Sequence, residues 1–107
     1  MKYGLPDAAL REIRAVLARY PQVEQAILYG SRAKGNYKNG SDIDLALRGG
    51  ADLTQSALYE ISDELDDLLL PHTIDLSIFA NIRDAGLMDH IQRAGVIFYT
   101  RDGERQC

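Results

Sequence analysis

The sequence predicts an α/β protein in which helices cover one β-sheet. Three observations support this prediction. Helical and strand patterns alternate four times along the chain, two of the strands have one apolar and one polar face, and no linker or repeat interrupts the order. The chain has 107 residues, the length of one domain with a small core, so we expect a single domain over residues 1–107.

The first half of the chain predicts two helices and one strand. A helix begins at Pro6-Asp7 and ends at Tyr20-Pro21, because a residue that precedes proline avoids the α region. The apolar run 23–29 predicts a strand that ends at a glycine. A short helix is expected from Ser31, followed by a loop over 36–40, which is rich in Asn and Gly.

The next strand and helix are predicted from alternation and helical spacing. Residues 42–47 alternate strictly between polar and apolar, and Gly49-Gly50 is expected to break this strand. Asp52 is the predicted N-cap of a helix whose apolar residues lie on one side. Pro71 is expected to stop this helix, whose last residues, Leu68-Leu69-Leu70, predict a partly exposed apolar patch.

The last three elements follow the same rules. Residues 73–79 alternate and predict a strand with Asp75 on its polar face. A helix is expected over 83–93 with Gly95 as its C-cap, and a final strand over 96–99. If the two alternating strands are neighbours in the sheet, their polar faces open on one shared cleft.

Charge and composition narrow the classes of function. The net charge is −4, so the chain has no general attraction to nucleic acid or to an anionic membrane, and we expect neither as a partner. The single cysteine, Cys107, excludes an internal disulfide framework. No apolar run approaches the roughly 20 residues of a membrane helix, and we expect a soluble cytoplasmic protein.

Paired carboxylates are the first half of the predicted site. Asp42 and Asp44 point the same way from a strand, about 6.5–7 Å apart, and would repel each other unless a cation lay between them. Carboxylate oxygens suit Mg²⁺, which also keeps water and substrate phosphate oxygens as ligands. We expect one or two Mg²⁺ ions here, with Asp75 as a third ligand that also accepts a proton from an incoming hydroxyl.

A glycine–serine step ten residues earlier is the second half. Gly30 lets the backbone approach a phosphate closely, and Ser31 offers its N–H and hydroxyl at a helix start. Arg32 and Lys34 add positive charge, so both are predicted to bind the nucleotide. Alone, each half fits a solvated strand face or a helix cap. Together they favour metal-assisted phosphoryl or nucleotidyl transfer.

The motif resembles that of a known superfamily. Gly30-Ser31-x10-Asp42-x-Asp44, with Asp75 downstream, resembles the DNA polymerase β nucleotidyltransferases. The longer stretch from Leu28-Tyr29 through Ser41-Asp42-Ile43-Asp44-Leu45 is similar to the minimal nucleotidyltransferase (MNT) proteins of bacteria and archaea. This resemblance implies a mixed sheet with a palm-like fold, Mg²⁺, a nucleoside triphosphate, the three aspartates as metal ligands, and Gly30 and Ser31 as phosphate contacts.

The resemblance also implies a partner. MNT proteins are commonly encoded beside a helical HEPN-type protein, as antitoxin and toxin, and some transfer AMP to a tyrosine of that partner. We therefore expect an enzyme that moves AMP from ATP, or another nucleotide from its triphosphate, to a hydroxyl group on such a partner. The short chain leaves no room for an acceptor domain, which favours a hetero-oligomer.

Two alternatives to this function stay open. The chain could act as an antitoxin that only masks its partner, or it could transfer a nucleotide to a small molecule or an RNA end in a cleft completed by another subunit. The two histidines, His72 and His90, have no metal-ligand spacing around them and are predicted to be surface residues.

Overall fold

The computed structural model describes residues 2–38 and 40–101. Residue 39, which belongs to the predicted loop 36–40, and Cys107 lie outside the described residues. In chain order, the elements are α1 (Asp7–Ala18), β1 (Val23–Tyr29), α2 (Ser31–Lys34), β2 (Ile43–Gly49), α3 (Gln55–Asp66), β3 (Ile74–Ile78), a 3₁₀ turn (Phe79–Asn81), α4 (Ala85–Ala94) and β4 (Val96–Thr100). The predicted alternation of helix and strand is confirmed.

The four strands form one mixed sheet in the order β3-β2-β1-β4. β1 is antiparallel to both of its neighbours, whereas β2 and β3 are parallel and are joined by the crossover helix α3. A parallel pair requires such a crossover connection, because a short hairpin cannot return the chain to the same end of the sheet. The two strands that carry the aspartates are therefore neighbours, as their shared cleft requires.

One face of the sheet carries the main core. Helices α1 and α3 pack on this face through apolar residues at helical spacing, such as Ile13 and Ile61, which are fully buried. The apolar members of β2, Ile43, Leu45 and Leu47, are fully buried beneath them. Burial of this large apolar area is the main source of the fold's stability.

The opposite face is only partly covered. A smaller cluster forms there from Ile27 and Tyr29 of β1, Ala46 of β2 and Ile91 of α4. Among the residues of α4, Ile91 alone is buried. Because side chains alternate along a strand, the aspartates of β2 and β3 point to this partly open face, here called the open face.

Several helix and strand ends differ from the predicted ones. More than one residue type can cap a helix, and the path of the backbone decides which residue does so. Thr54, and not Asp52, caps α3, since its Oγ1 accepts a hydrogen bond from the N–H of Ala57 at 3.2 Å. Before this cap the chain makes a turn in which Leu53 N–H donates to Gly50 O. β2 runs through Gly49, which pairs with Val23, and ends before Gly50, so the strand stops within Gly49-Gly50 as predicted.

The ends of α3 and β3 also differ from the prediction. α3 ends at Asp66, well before Pro71, and the chain then turns at Leu69, whose φ is +56°. Leu69 is 87% exposed while the leucines on either side pack on the core, so the leucine run is not a continuous patch. β3 ends at Ile78 because the 3₁₀ turn begins at the next residue.

The last helix starts two residues later than predicted. Asp84 Oδ1 accepts a hydrogen bond from the N–H of Leu87 at 3.1 Å, which makes Asp84 the N-cap of α4. Gly95 is the C-cap, as predicted, although its φ of −67° is not left-handed. Within the described parts of the chain, no helix has both the length and the apolar character needed to cross a membrane.

Candidate active site

The predicted carboxylates lie together on the open face. Asp44 and Asp75 are register partners in the parallel pair of β2 and β3, so their side chains leave the sheet on the same side. Asp42 precedes β2 and is two residues from Asp44. Asp44 is half-buried, and the other two are exposed. The structure therefore brings the three residues to one place, near the start of both strands.

The three aspartates and the side chains beside them influence one another's pKa values. The pKa of Asp44 is raised above its ordinary value, first by burial and then by the negative charges of Asp75 and Asp42. A positive charge on the His90 ring would act in the opposite direction on the same carboxylate. Burial also raises the pKa of the Tyr29 phenol, and the charges of Asp44 and Asp75 raise it further. The site thus concentrates negative charge that a cation would relieve.

The donor set fits Mg²⁺. All three acidic groups offer hard carboxylate oxygens, and Mg²⁺ usually takes one or two carboxylates and completes its shell with water and substrate phosphates. Among residues 2–38 and 40–101, no group of three or more His, Cys, Asp or Glu side chains is arranged to hold a metal ion. A Mg²⁺ ion beside these aspartates would therefore need water or substrate phosphates among its ligands.

Gly30 brings the backbone against Asp44. Its φ of +78° and ψ of −157° favour glycine, and a Cβ built there would lie 2.5 Å from Asp44 Oδ2. The next residue, Ser31, is half-buried at the start of α2, a single turn closed by Gly35 at φ +87°. The predicted phosphate turn is thus in contact with the predicted metal site.

The position of Arg32 differs from the one that its predicted role in nucleotide binding requires. It is 2% exposed. Its Nε and one Nη donate to Ser41 O at 3.0 and 2.9 Å, and its other Nη donates to Tyr3 O at 2.9 Å. The same guanidinium lies 3.3 Å from His72 Nδ1. Because these partners occupy most of its donors, the structure gives Arg32 the role of an interior tie between the N-terminal segment and the loop before Asp42.

The other predicted cation has a different environment. Lys34 is exposed at the end of α2. Its contact with a nucleotide stays a prediction. The difference between Arg32 and Lys34 follows from the helical turn, which directs the second residue of α2 inward and leaves the fourth residue outside.

His90 was missed by the sequence analysis, which predicted a surface residue. Its Nε2 accepts a hydrogen bond from the N–H of Gly30 at 3.0 Å, and its ring meets Tyr29 edge-on, with centroids 6.3 Å apart. The position of His90 before the buried Ile91 is a weak signal, because any residue at a helix margin has such a neighbour. Only the tertiary arrangement of α4 and β1 reveals the contact.

The family model described as polymerase beta, nucleotidyltransferase, matches residues 11–104. No curated protein gives a significant match. A chain in a crystal structure of a toxin–antitoxin with AMP-PNP is similar in structure, with a TM-score of 0.69 and 21% identity over 91% of this chain and 77% of that chain.

Two further structures have the same fold. A chain in the structure of a tri-AMPylated Shewanella oneidensis HEPN toxin in complex with MNT antitoxin has a TM-score of 0.64 and 19% identity over 92% of this chain and 76% of that chain. A protein from Sulfolobus solfataricus has a TM-score of 0.50 and 20% identity over 92% of this chain and 93% of that chain. The family match covers most of the sequence, including Gly30 and all three aspartates. The chain therefore belongs to the polymerase beta nucleotidyltransferase family.

Proposed function

We propose that this nucleotidyltransferase domain is of the MNT type and transfers a nucleoside monophosphate, AMP from ATP by preference, to a hydroxyl group of a helical HEPN-type partner. The observation that carries the proposal is the position of Asp44 opposite Asp75, with Asp42 and the Gly30 backbone beside them. The chain would serve as the antitoxin, and modification of the partner would neutralise the toxin.

The residues of the site would have different roles in the reaction. Asp42, Asp44 and Asp75 would hold one or two Mg²⁺ ions, which when bound offset the charge of the triphosphate and of the leaving pyrophosphate. Gly30 and Ser31 would position the phosphates, and Lys34 would add positive charge near them.

The transfer step is an in-line displacement. The acceptor oxygen forms a bond to the α-phosphorus while the bond from that phosphorus to the oxygen bridging the β-phosphate breaks, so that pyrophosphate leaves with the electron pair. Asp75 accepts the proton of the acceptor hydroxyl. Its position at the exposed edge strand β3 leaves it open to a group on another protein.

Support for the partner comes from the structural relatives. Two of the similar chains lie in toxin–antitoxin complexes, one with AMP-PNP and one with an AMPylated HEPN toxin. We infer a hetero-oligomer of the same kind for this chain. The ATP analogue in the first complex supports a nucleoside triphosphate as the donor.

The test is transfer of label from α-labelled ATP to the proposed HEPN-type partner protein. With Mg²⁺, the wild type should label the partner, and Asp44→Asn should lower the rate by at least about 100-fold, because transition-state charge stabilisation is lost. Asp52→Asn is the matched control, since it removes an exposed carboxylate of the turn before α3 and should leave labelling intact.

Two results would count against the proposal. Labelling that is equal in the wild type and in Asp44→Asn would place the chemistry elsewhere. Absence of labelling, combined with full protection of cells by a variant that lacks all three aspartates, would instead favour an antitoxin that acts by masking its partner.

A further inference from the structure

The N–H of Gly30 lies where the sheet offers no partner. The last residue pair of β1 with β2 is Tyr29 with Asp44, and the last pair of β1 with β4 is Leu28 with Val96. Gly30 follows both pairs. A partly buried backbone donor needs another acceptor, and His90 Nε2 supplies it at 3.0 Å.

His90 is held in place by packing of α4. Its neighbour Ile91 is 3% exposed and packs with Ile27 and Tyr29. The edge of the His90 ring faces the Tyr29 ring at an angle of 75°. The histidine is therefore anchored by the helix on one side and by β1 on the other, and its acceptor nitrogen is directed at the phosphate turn.

The contact continues from Gly30 to the carboxylates. The place that a Gly30 side chain would need is taken by Asp44 Oδ2, 2.5 Å from the Cβ position. A small rotation of the Gly30 backbone would therefore move the turn against Asp44 or away from it. Any group that fixes the Gly30 amide also fixes the spacing between the phosphate turn and the carboxylates.

We propose that His90 is a positioning residue of the nucleotide site, an inference that rests on the proposed function. As an acceptor at Nε2, the neutral ring carries its proton on Nδ1. Because His90 occupies the Gly30 N–H, this donor is not available to a phosphate, whereas Ser31 still offers its N–H and hydroxyl. Helix α4 thereby contributes to nucleotide affinity without itself touching the nucleotide.

Two variants separate the hydrogen bond from the packing. His90→Gln retains an acceptor oxygen of similar reach, whereas His90→Phe retains a ring and has no acceptor. Asp89→Asn is the matched control, because it alters the adjacent and exposed position of α4. The readouts are hydrogen exchange of the Gly30 amide, measured by NMR on the chain, and the affinity of the chain for AMP-PNP with Mg²⁺.

The expected results differ between the variants. In His90→Phe, the Gly30 amide should exchange at least about tenfold faster, and AMP-PNP should bind about tenfold more weakly. A tenfold change corresponds to the loss of one hydrogen bond that contributes about 1–1.5 kcal/mol. His90→Gln and Asp89→Asn should stay within about threefold of the wild type in both measurements.

The failures of this inference and of the proposed function are distinguishable. If the wild type binds AMP-PNP and His90→Phe binds it equally well, or if His90→Gln is as impaired as His90→Phe, the positioning role is wrong and the proposed function stands. If the wild type and Asp44→Asn both fail to bind AMP-PNP, the proposed function fails and the inference fails with it.

Discussion

The two faces of the sheet are made by alternate residues of the same strand and have opposite properties. In β2, Ile43, Leu45 and Leu47 are fully buried under α1 and α3, whereas Asp44 faces the partly open side and meets two other carboxylates. The core face stabilises the fold through apolar burial. The open face concentrates like charge, which lowers stability and creates a site for a cation and a phosphate. Adjacent residues of the same strand thus serve different purposes, one stabilising the fold and the next forming the site.

The largest expected effect on stability tests the core face. Leu45→Ala removes a fully buried side chain and should lower the free energy of unfolding by about 2–5 kcal/mol, because a cavity remains where the side chain was. Urea denaturation followed by circular dichroism measures this change. A loss below about 1 kcal/mol would show that the face around Leu45 is loosely packed and would weaken the contrast with the open face.

Arg32 is expected to behave as a core residue despite its charge. Arg32→Met removes the donors to Ser41 O and Tyr3 O and should cost about 2–4 kcal/mol, since two partly buried carbonyl oxygens lose their partners. Lys34→Met, the matched control on the same short helix, should change the free energy of unfolding by less than about 0.5 kcal/mol. Equal stability of the two variants would contradict the interior role of Arg32.

Gly30→Ala tests the junction between the two faces. The added methyl group would meet Asp44 Oδ2, and φ would be held at +78°, so the substitution should cost about 1–3 kcal/mol and displace the phosphate turn. Gly35→Ala is a matched control with a φ of +87° and no atom within 4 Å of the new Cβ. Both variants should lose some stability, and only Gly30→Ala should lose AMP-PNP binding.

The sequence predicted those features of the fold and the site that depend on the residue pattern of a single strand or helix. Strict alternation located β2 and β3 and placed Asp44 and Asp75 on the polar face. It named Asp52 as the N-cap of α3 where the structure has Thr54, because both residue types favour a helix N-cap and the backbone path decides which one takes it. The inward turn of Arg32 and the approach of His90 to Gly30 depend on contacts between distant segments, which a single sequence does not display.

The smallest expected effect concerns the open face at different pH values. The pKa of Asp44 is raised in the folded state. The free energy of unfolding therefore falls as the pH rises through the folded pKa, and no stability is lost at pH values below the unfolded pKa. Asp44→Asn should therefore be more stable than the wild type at pH 7 without divalent ions, by less than about 1 kcal/mol because solvent screens the partly exposed group. The difference should vanish below the ordinary pKa of aspartate.

Thermal melts of the two proteins between pH 3 and pH 7 measure this effect, with Asp52→Asn as the control that should follow the wild type. Greater stability of the wild type at pH 7 would mean that Asp44 has a favourable partner in the folded state. That result would remove the contrast between a stabilising face and a charged face.

The most direct test of the account is a crystal of the chain soaked with Mn²⁺ and AMP-PNP, in which anomalous scattering locates the ion. We expect a Mn²⁺ ion bound by oxygens of Asp44 and at least one of Asp42 and Asp75, with a nucleotide phosphate beside Ser31. An ion bound away from these aspartates, or a nucleotide held elsewhere on the protein while this cleft stays free of both, would contradict it.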